Sequence, residues 1–307
     1  MRRLAAFLPL LVAALYSVAT PAAAAERVAL VIGNGAYQAT GQLPNPGRDA
    51  EAMAAALEAL GFQVILRTDA DRRGTDAAIG EFINAASGAG VGLFFFAGHG
   101  IQIGGDNLLL PVDVSADSEW SLRSSAIEAQ RIVSEMEKNA GVSIVILDAC
   151  RDNPIADIVA KTSSTRSVGV QRGLGRMRTE GRGAIIAFAA AAGDTAADGA
   201  GEHSPFTAAL LEEIDEPNVE VGLMFRRVAR RVREETGGDQ YPELLVRLVD
   251  EVYMNPVAEV AAATAQEPAG EPAKPAVEGS EGAPPGEKVA AAETGGEQAA
   301  GGGAVEQ

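Results

Sequence analysis

The chain has 307 residues, of which 47% are hydrophobic and 22% are charged, and its formal net charge is −17 at pH 7. No Lys- and Arg-rich face stands out from this acidic background, which argues against nucleic-acid binding. The single cysteine, Cys150, excludes an intrachain disulfide. One cysteine and two histidines in separate segments also lack the spacing of a zinc site, so no metal or other cofactor is expected.

Both ends of the chain are predicted to lie outside the folded core. Residues 1–25 begin with two arginines, continue as an apolar stretch and end in three alanines, which is typical of a secretory signal peptide. We therefore expect a periplasmic or secreted protein with no stable membrane span after cleavage; an uncleaved anchor is the alternative. Residues 257–307 are mostly Ala, Gly, Glu and Pro, which predicts a disordered acidic tail. Residues 26–256 remain for one folded domain.

The middle of the chain alternates apolar runs with helical segments. In chain order the patterns predict a strand over 27–33, a helix over 46–60, a strand over 62–67, a helix over 75–87, a strand over 91–97, a helix over 128–139, strands over 142–147 and 183–189, helices over 206–214 and 219–235, and an edge strand over 244–249. Strands separated by helices indicate a three-layer α/β/α sandwich with a mostly parallel sheet. Five arginines between positions 226 and 233 are expected on the solvent side of the last helix.

Two of these strands carry the residues best suited to chemistry. The apolar run that ends in Gly98-His99-Gly100 supplies an imidazole, and the run that ends in Asp148-Ala149-Cys150 supplies the only thiol. Parallel strands that end side by side would place His99 and Cys150 at one edge of the sheet, where open α/β sheets form their active sites.

The pair predicts nucleophilic catalysis. A thiol becomes a strong nucleophile when a neighbouring imidazole takes its proton. The backbone amides of Gly100 and Cys150 are candidates to hold a developing oxyanion. Asp148 precedes Cys150 by two positions, so in a strand both face the same side, and its carboxylate suits a pocket for a cationic side chain.

Other site types are disfavoured. Gly33-Asn34-Gly35 follows the first strand, but Gln38 stands where the dinucleotide fingerprint requires its third glycine. The chain contains neither a P-loop nor the Gly-x-Ser-x-Gly elbow of serine hydrolases. The second histidine, His203, directly precedes the Ser204-Pro205 helix opening and is interpreted as a turn residue rather than a base.

The spacing of the two candidate residues also matches a known family, since Cys150 lies 51 positions after His99. The chain resembles the bacterial caspase-like cysteine peptidases, the metacaspase or orthocaspase branch of the caspase superfamily. The resemblance covers most of the globular region and rests on Ala29–Asn34, Leu43–Pro46 with Asp49-Ala50, Phe95–Gly100, Leu109–Asp113, Leu147–Pro154 and Ser204–Thr207.

The resemblance implies a caspase-like sheet and a cysteine endopeptidase with His99 as base and Cys150 as nucleophile. It implies that Asp148 belongs to a pocket that accepts Arg or Lys, as in metacaspases. The Gln-Ala-Cys-x-Gly form of animal caspases is absent, since Arg151-Asp152 follows the cysteine. A calcium-binding cluster is not assigned, so calcium dependence stays open. The substrates expected are proteins or peptides with basic residues.

Two other functions are compatible with the sequence. One is a proteolytically silent caspase-like module that binds an envelope partner, and the other is a cysteine hydrolase of a non-peptide acyl substrate. A mobile exposed loop is predicted over about residues 155–182. Its basic residues are candidates for self-cleavage, namely Lys161, Arg166, Arg172, Arg176, Arg178 and Arg182.

Overall fold

A computed structural model describes residues 26–150, 170–172, 174–179, 181, 183–192, 194 and 196–257. The predicted signal peptide lies outside the described residues, as do residues 151–169 and the tail after residue 257. Expectations about those segments therefore stay predictions.

The described residues form an α/β fold whose main sheet is mostly parallel. Its strands, in spatial order, are β2 (Gln63–Thr68), β1 (Arg27–Gly33), β3 (Val91–Ile103), β6 (Val142–Cys150), β8 (Ala184–Phe188) and β9 (Glu243–Arg247). The first five run parallel, and β9 pairs antiparallel with β8 at the edge. The predicted sheet is confirmed, including the late edge strand.

Six helices are present in the described residues: α1 (Pro46–Ala59), α2 (Arg72–Ala85), α3 (Glu119–Ser125), α4 (Ala129–Asn139), α5 (Pro205–Glu213) and α6 (Val221–Glu235). The central strands are apolar on both faces because helices cover each side. Leu93 and Phe95 pack into the cluster beneath α1, α5 and α6, whereas Phe94 and Phe96 pack into the cluster beneath α2 and α4. The strand period of two therefore builds both core layers.

Strand β3 is longer than the sequence predicted. The expected strand ended at Ala97, but β3 continues to Ile103 and pairs antiparallel with β4 (Asp106–Leu109). Two further short strands, β5 (Ile127–Glu128) and β7 (Val170–Arg172), extend this small antiparallel part. His99 therefore lies inside a strand rather than at its end, because the hairpin gives the chain beyond Gly98 new backbone partners.

Part of the loop predicted over residues 155–182 pairs with strands or is buried in the structure, although Arg176 and Arg178 are exposed as predicted. Residues 170–172 form β7 on the edge of β3, and Leu174 and Met177 are buried in the cluster beneath α2 and α4. Asn107 exchanges two hydrogen bonds with the backbone of Gly175, at 2.7 and 2.6 Å. Backbone pairing and side-chain amides thus order a stretch in which no apolar period was visible.

Two arginines of helix α6 pair with a buried carboxylate of α5. Arg231 Nε lies 2.5 Å from the buried Glu213 on α5, and Arg227 lies 3.6 Å from the same carboxylate. The arginines nonetheless lie largely on the solvent side, as predicted, since four of the five are exposed and Arg227 is partly exposed. Two of them also supply the cationic partner that the buried Glu213, which is 3% exposed, requires.

No helix among the described residues is both long and apolar enough to cross a membrane. The same residues contain no group of three or more His, Cys, Asp or Glu side chains arranged to hold a metal ion.

Candidate active site

Parallel pairing of β3 with β6 brings the two candidate residues opposite each other. The register runs from Val91 with Val142 to His99 with Cys150, which is the last pair of the ladder. The two residues are 51 positions apart in the chain and become neighbours because each follows an apolar run of matched length.

The ring of His99 is held from one side by the loop between β1 and α1. His99 is 1% exposed, its Nε2 lies 2.9 Å from the carbonyl oxygen of Gly41, and its ring centroid is 4.4 Å from that of Tyr37. The backbone N–H of His99 donates to Tyr37 Oη at 2.7 Å, and Tyr37 Oη donates to the Leu110 carbonyl at 3.1 Å. The imidazole is thus fixed in place and orientation.

These contacts define the tautomer of His99. A carbonyl oxygen only accepts hydrogen bonds, so Nε2 carries the proton and the neutral ring keeps a lone pair on Nδ1. Nδ1 is buried and has no hydrogen-bond partner among the described side chains and backbone groups. Burial lowers the pKa of His99, and the bond to Gly41 opposes that effect. The ring is therefore prepared to accept a proton through Nδ1.

The glycines beside His99 are required by close contacts. Gly98 has φ +151°, and a Cβ atom there would lie 2.6 Å from Tyr37 Oη. A Cβ on Gly100 would lie 2.9 Å from Leu174 Cδ2 and 3.0 Å from the Cβ of Ala149. Neither position has room for a side chain.

Asp148 lies on the face of β6 that packs against α1 and α5. It is 2% exposed. Its Oδ2 accepts a hydrogen bond from Thr207 Oγ1 at 2.7 Å and another from Ser204 Oγ, while its Oδ1 is buried without a partner among the described residues. Ser204 is also the N-cap of α5 and accepts from the Thr207 N–H at 2.9 Å. The start of α5 therefore positions the carboxylate.

Two more carboxylates gather around Asp148. Asp49 of α1 is 1% exposed, and both of its oxygens lie 3.4 Å from the Ser204 N–H, so Ser204 stands between Asp49 and Asp148. Asp198, in the loop after β8, has a buried Oδ2 without a partner among the described residues. We call Asp49, Asp148 and Asp198 the carboxylate cluster.

Burial makes the carboxylate cluster costly to charge. Desolvation raises the pKa of Asp148 to about 7, hydrogen bonds from Ser204 and Thr207 oppose it, and the charge of Asp49 raises it further. Desolvation likewise raises the pKa of Asp49 to about 7. The pKa of Asp198 is raised by the same cause. Buried carboxylate oxygens without donors favour a cationic ligand, which would supply both the missing charge and the missing donors.

The sequence reasoning found three of these groups and missed the others. His99, Cys150 and Asp148 come at the ends of apolar runs in the sequence and were found for that reason. Asp49 and Asp198 lie in a helix and a loop, where only the fold brings them to Asp148. His203 was interpreted as a turn residue, but its Nδ1 lies 2.8 Å from Asp49 Oδ1. The Asp49-Ala50 pair in the family resemblance was the one available signal for Asp49.

The glycine-rich loop after β1 has a structural role. Asp69 Oδ1 accepts hydrogen bonds from the backbone amides of Gly35 and Ala36, each at 2.8 Å. Asp69 thus satisfies two backbone amides of this loop and holds the loop in place.

Comparison with known proteins gives both a family and distant relatives. A family model described as the caspase domain matches residues 26–253. Mucosa-associated lymphoid tissue lymphoma translocation protein 1 from Homo sapiens is 30% identical over 149 residues, and its homologue from Mus musculus is equally similar. Each match covers 46% of this chain and 18% of the relative, so the chain spans less than a fifth of those proteins.

Proposed function

Because the chain belongs to the caspase-domain family, we propose that it is an exported cysteine endopeptidase that uses Cys150 as nucleophile and His99 as base. The observation that carries the proposal is the register of β3 and β6, which sets Cys150 opposite a buried imidazole whose Nδ1 is open. The proposed export rests on residues 1–25 of the sequence alone.

The reaction follows from these positions. His99 Nδ1 takes the proton of the Cys150 thiol, and the thiolate attacks the peptide carbonyl to form a tetrahedral intermediate. The protonated ring gives its proton to the leaving amine, which leaves an acyl-enzyme. His99 then takes a proton from water as the water attacks the thioester, and the proton returns to the departing thiolate.

The amide of Gly100 is proposed to stabilise the oxyanion. In an antiparallel ladder, pairs that exchange hydrogen bonds alternate with pairs that do not. The Leu110 N–H donates to the His99 carbonyl at 3.0 Å, so the next pair, Gly100 with Leu109, is of the second kind. The Gly100 N–H therefore points away from β4, toward the side of β3 on which β6 lies.

The carboxylate cluster is proposed to select Arg or Lys before the cut bond. It presents unpartnered buried oxygens of Asp148 and Asp198, and a cationic side chain would satisfy them. An acidic side chain would add a like charge to a site that already resists full ionisation. Calcium dependence stays undecided, and no step of this mechanism needs a metal.

Self-cleavage is also proposed, at a narrower set of positions than the sequence offered. Gln130 exchanges two hydrogen bonds with the backbone of Arg178, at 2.8 and 3.0 Å, as Asn107 does with Gly175. A protease needs an extended and accessible segment, so residues 174–179, the clamped segment, are poor substrates. Arg172 lies in β7, and Gly183, which follows Arg182, is held by backbone hydrogen bonds with Ser143 and Arg247. Lys161 and Arg166, which lie outside the described residues, are therefore the preferred candidates.

The dyad is tested by replacing each member. Cys150→Ala and His99→Ala should each lower kcat/KM on a basic peptide substrate by a factor of about 10³ or more, because each group takes part in the chemical step. A thiol-directed peptidyl inhibitor should label Cys150 in the unmodified chain. Full activity in the Cys150→Ala variant would refute the mechanism.

Specificity is tested with a peptide library in which the residue before the cut varies. We expect Arg and Lys to dominate, and Asp148→Asn to lose this preference while Cys150 still reacts with iodoacetamide. Asp215→Asn, at an exposed position, is the matched control and should cleave as the parent does. A library maximum at Asp or at a large apolar residue would contradict the proposal.

A further inference from the structure

The carboxylate cluster has one partner that the proposed mechanism does not use. His203 Nδ1 lies 2.8 Å from Asp49 Oδ1, and the side chain of His203 is 26% exposed while that of Asp49 is 1% exposed. His203 thus reaches from solvent to a carboxylate that solvent does not reach.

The other groups around Asp49 either form longer hydrogen bonds to it or, for the most part, carry a negative charge. The Ser204 N–H is 3.4 Å from both oxygens, at the limit of a hydrogen bond. The charged groups that face Asp49 from the described elements are Arg48 of the same helix, Asp148 of β6 and Asp198 of the loop after β8. Two of the three are carboxylates, which disfavour a further negative charge.

Arg48 does not replace His203 as the partner of Asp49. Its guanidinium donates to the Glu202 carbonyl at 2.9 Å and to Asn45 Oδ1, so it fastens the loop after β8 to the start of α1. His203 therefore makes the one short side-chain contact to Asp49 among the described residues.

We propose that His203 is a positioning residue of the basic-residue pocket, where it donates through Nδ1 to Asp49, orients that carboxylate and favours its ionised form for a cationic substrate side chain. The inference rests on the proposed preference for Arg or Lys. It gives a role to a histidine that the sequence presented only as a turn residue.

Electrostatics support this role. Desolvation is the largest cause that raises the pKa of Asp49 to about 7, and Asp198 adds to it. A donor to the ionised carboxylate favours the charged form. Loss of the His203 donor therefore favours the protonated form of Asp49, so the pocket carries less negative charge at neutral pH.

The test measures binding rather than catalysis, so it does not depend on the dyad. The full chain with Cys150→Ala is titrated by calorimetry with an acetylated tetrapeptide amide that ends in Arg, and with its Ala-ended match, from pH 6 to pH 9. His203→Ala and His203→Asn are made in this background; Asn keeps an N–H donor near the Nδ1 position.

We expect His203→Ala to weaken binding of the Arg peptide about fivefold at pH 7, because a rise of about one unit in the pKa of Asp49 from about 7 lowers its ionised fraction from about one half to about one tenth. Affinity should recover to within about twofold of the parent at pH 9, where Asp49 ionises without help. His203→Asn should follow the parent across the range. His203→Ser, too short to reach Asp49, replaces His203→Ala if that variant does not fold.

A double-variant comparison separates this role from a structural one. In an Asp49→Asn background, loss of His203 should change affinity by less than about twofold, since no carboxylate remains to be ionised. Weakening that is equal at every pH, or that persists in the Asp49→Asn background, would overturn the inference while the proposed function stands. If the parent binds the Arg peptide no better than the Ala peptide, the proposed specificity fails, and the inference fails with it.

Discussion

At the scale of single residues, the position of His99 depends on Tyr37. The phenol accepts from the His99 N–H, donates to the Leu110 carbonyl and packs its ring on the imidazole. One side chain from the β1–α1 loop thereby connects the proposed base to the hairpin behind it. The same loop supplies the Gly41 carbonyl that fixes the tautomer.

Tyr37→Phe should lower kcat about tenfold or more with little change in KM. The variant keeps the ring contact but leaves the buried His99 N–H without an acceptor, which costs about 1–3 kcal/mol. Steady-state kinetics on an Arg substrate, with Tyr241→Phe at an exposed position as control, measures the effect. If kcat is unchanged and KM rises, Tyr37 contacts substrate rather than holding His99.

At the scale of elements, the clamped segment is attached to β4 and α4. Asn107 on β4 makes two hydrogen bonds with the backbone of Gly175, and Gln130 on α4 makes two with the backbone of Arg178, three residues later. Leu174 and Met177 are buried between the same elements. The chain that follows the proposed cleavage sites is thus tied to the first half of the domain.

Self-cleavage should therefore cut before residue 170 and leave both fragments associated. Purified chain incubated beside its Cys150→Ala variant should give two bands on a denaturing gel but one peak in size-exclusion chromatography. Mass spectrometry should place the cut after Lys161 or Arg166. Cleavage of both proteins alike, or cleavage after Arg176 or Arg178, would contradict this expectation.

Much at this scale could be predicted from local sequence. Strand β1 has the expected bounds, and the Ser204-Pro205 opening of α5 is confirmed, because apolar runs and helix caps are local signals. The short elements β4, α3 and β5 were missed because their order depends on the extension of β3 beyond Gly98. Likewise, Asp148 was found from its strand, but the pairing of Asp49 with His203 joins positions 154 residues apart.

At the scale of the whole molecule, the carboxylate cluster opposes folding at neutral pH. Asp49 and Asp148 each have a pKa near 7 in the fold against an ordinary value of 3.8. Between these pH values the folded chain binds more protons than the unfolded chain, so their contribution favours folding at low pH and is lost as pH rises toward 7. Without a cationic ligand, the carboxylate cluster thus reduces the stability of the fold at neutral pH.

Asp148→Asn should stabilise the protein at pH 8 by about 1–3 kcal/mol and have little effect at pH 4, since the parent side chain is already protonated there. Urea unfolding at both pH values, with Asp215→Asn as exposed control, gives the comparison. Equal stabilisation at both pH values would mean that packing rather than charge is responsible.

The capping of α5 also determines when during synthesis the proposed pocket for basic residues can form. His99, Asp148 and Cys150 all precede residue 151, but the hydroxyls that hold Asp148 come from Ser204 and Thr207. A ribosome that has released only the first half of the domain has therefore released a thiol and an imidazole without the hydroxyls that hold Asp148. Under the proposed function, the pocket for basic residues is completed only when the start of α5 emerges and docks, so the growing chain lacks substrate recognition until its second half is present.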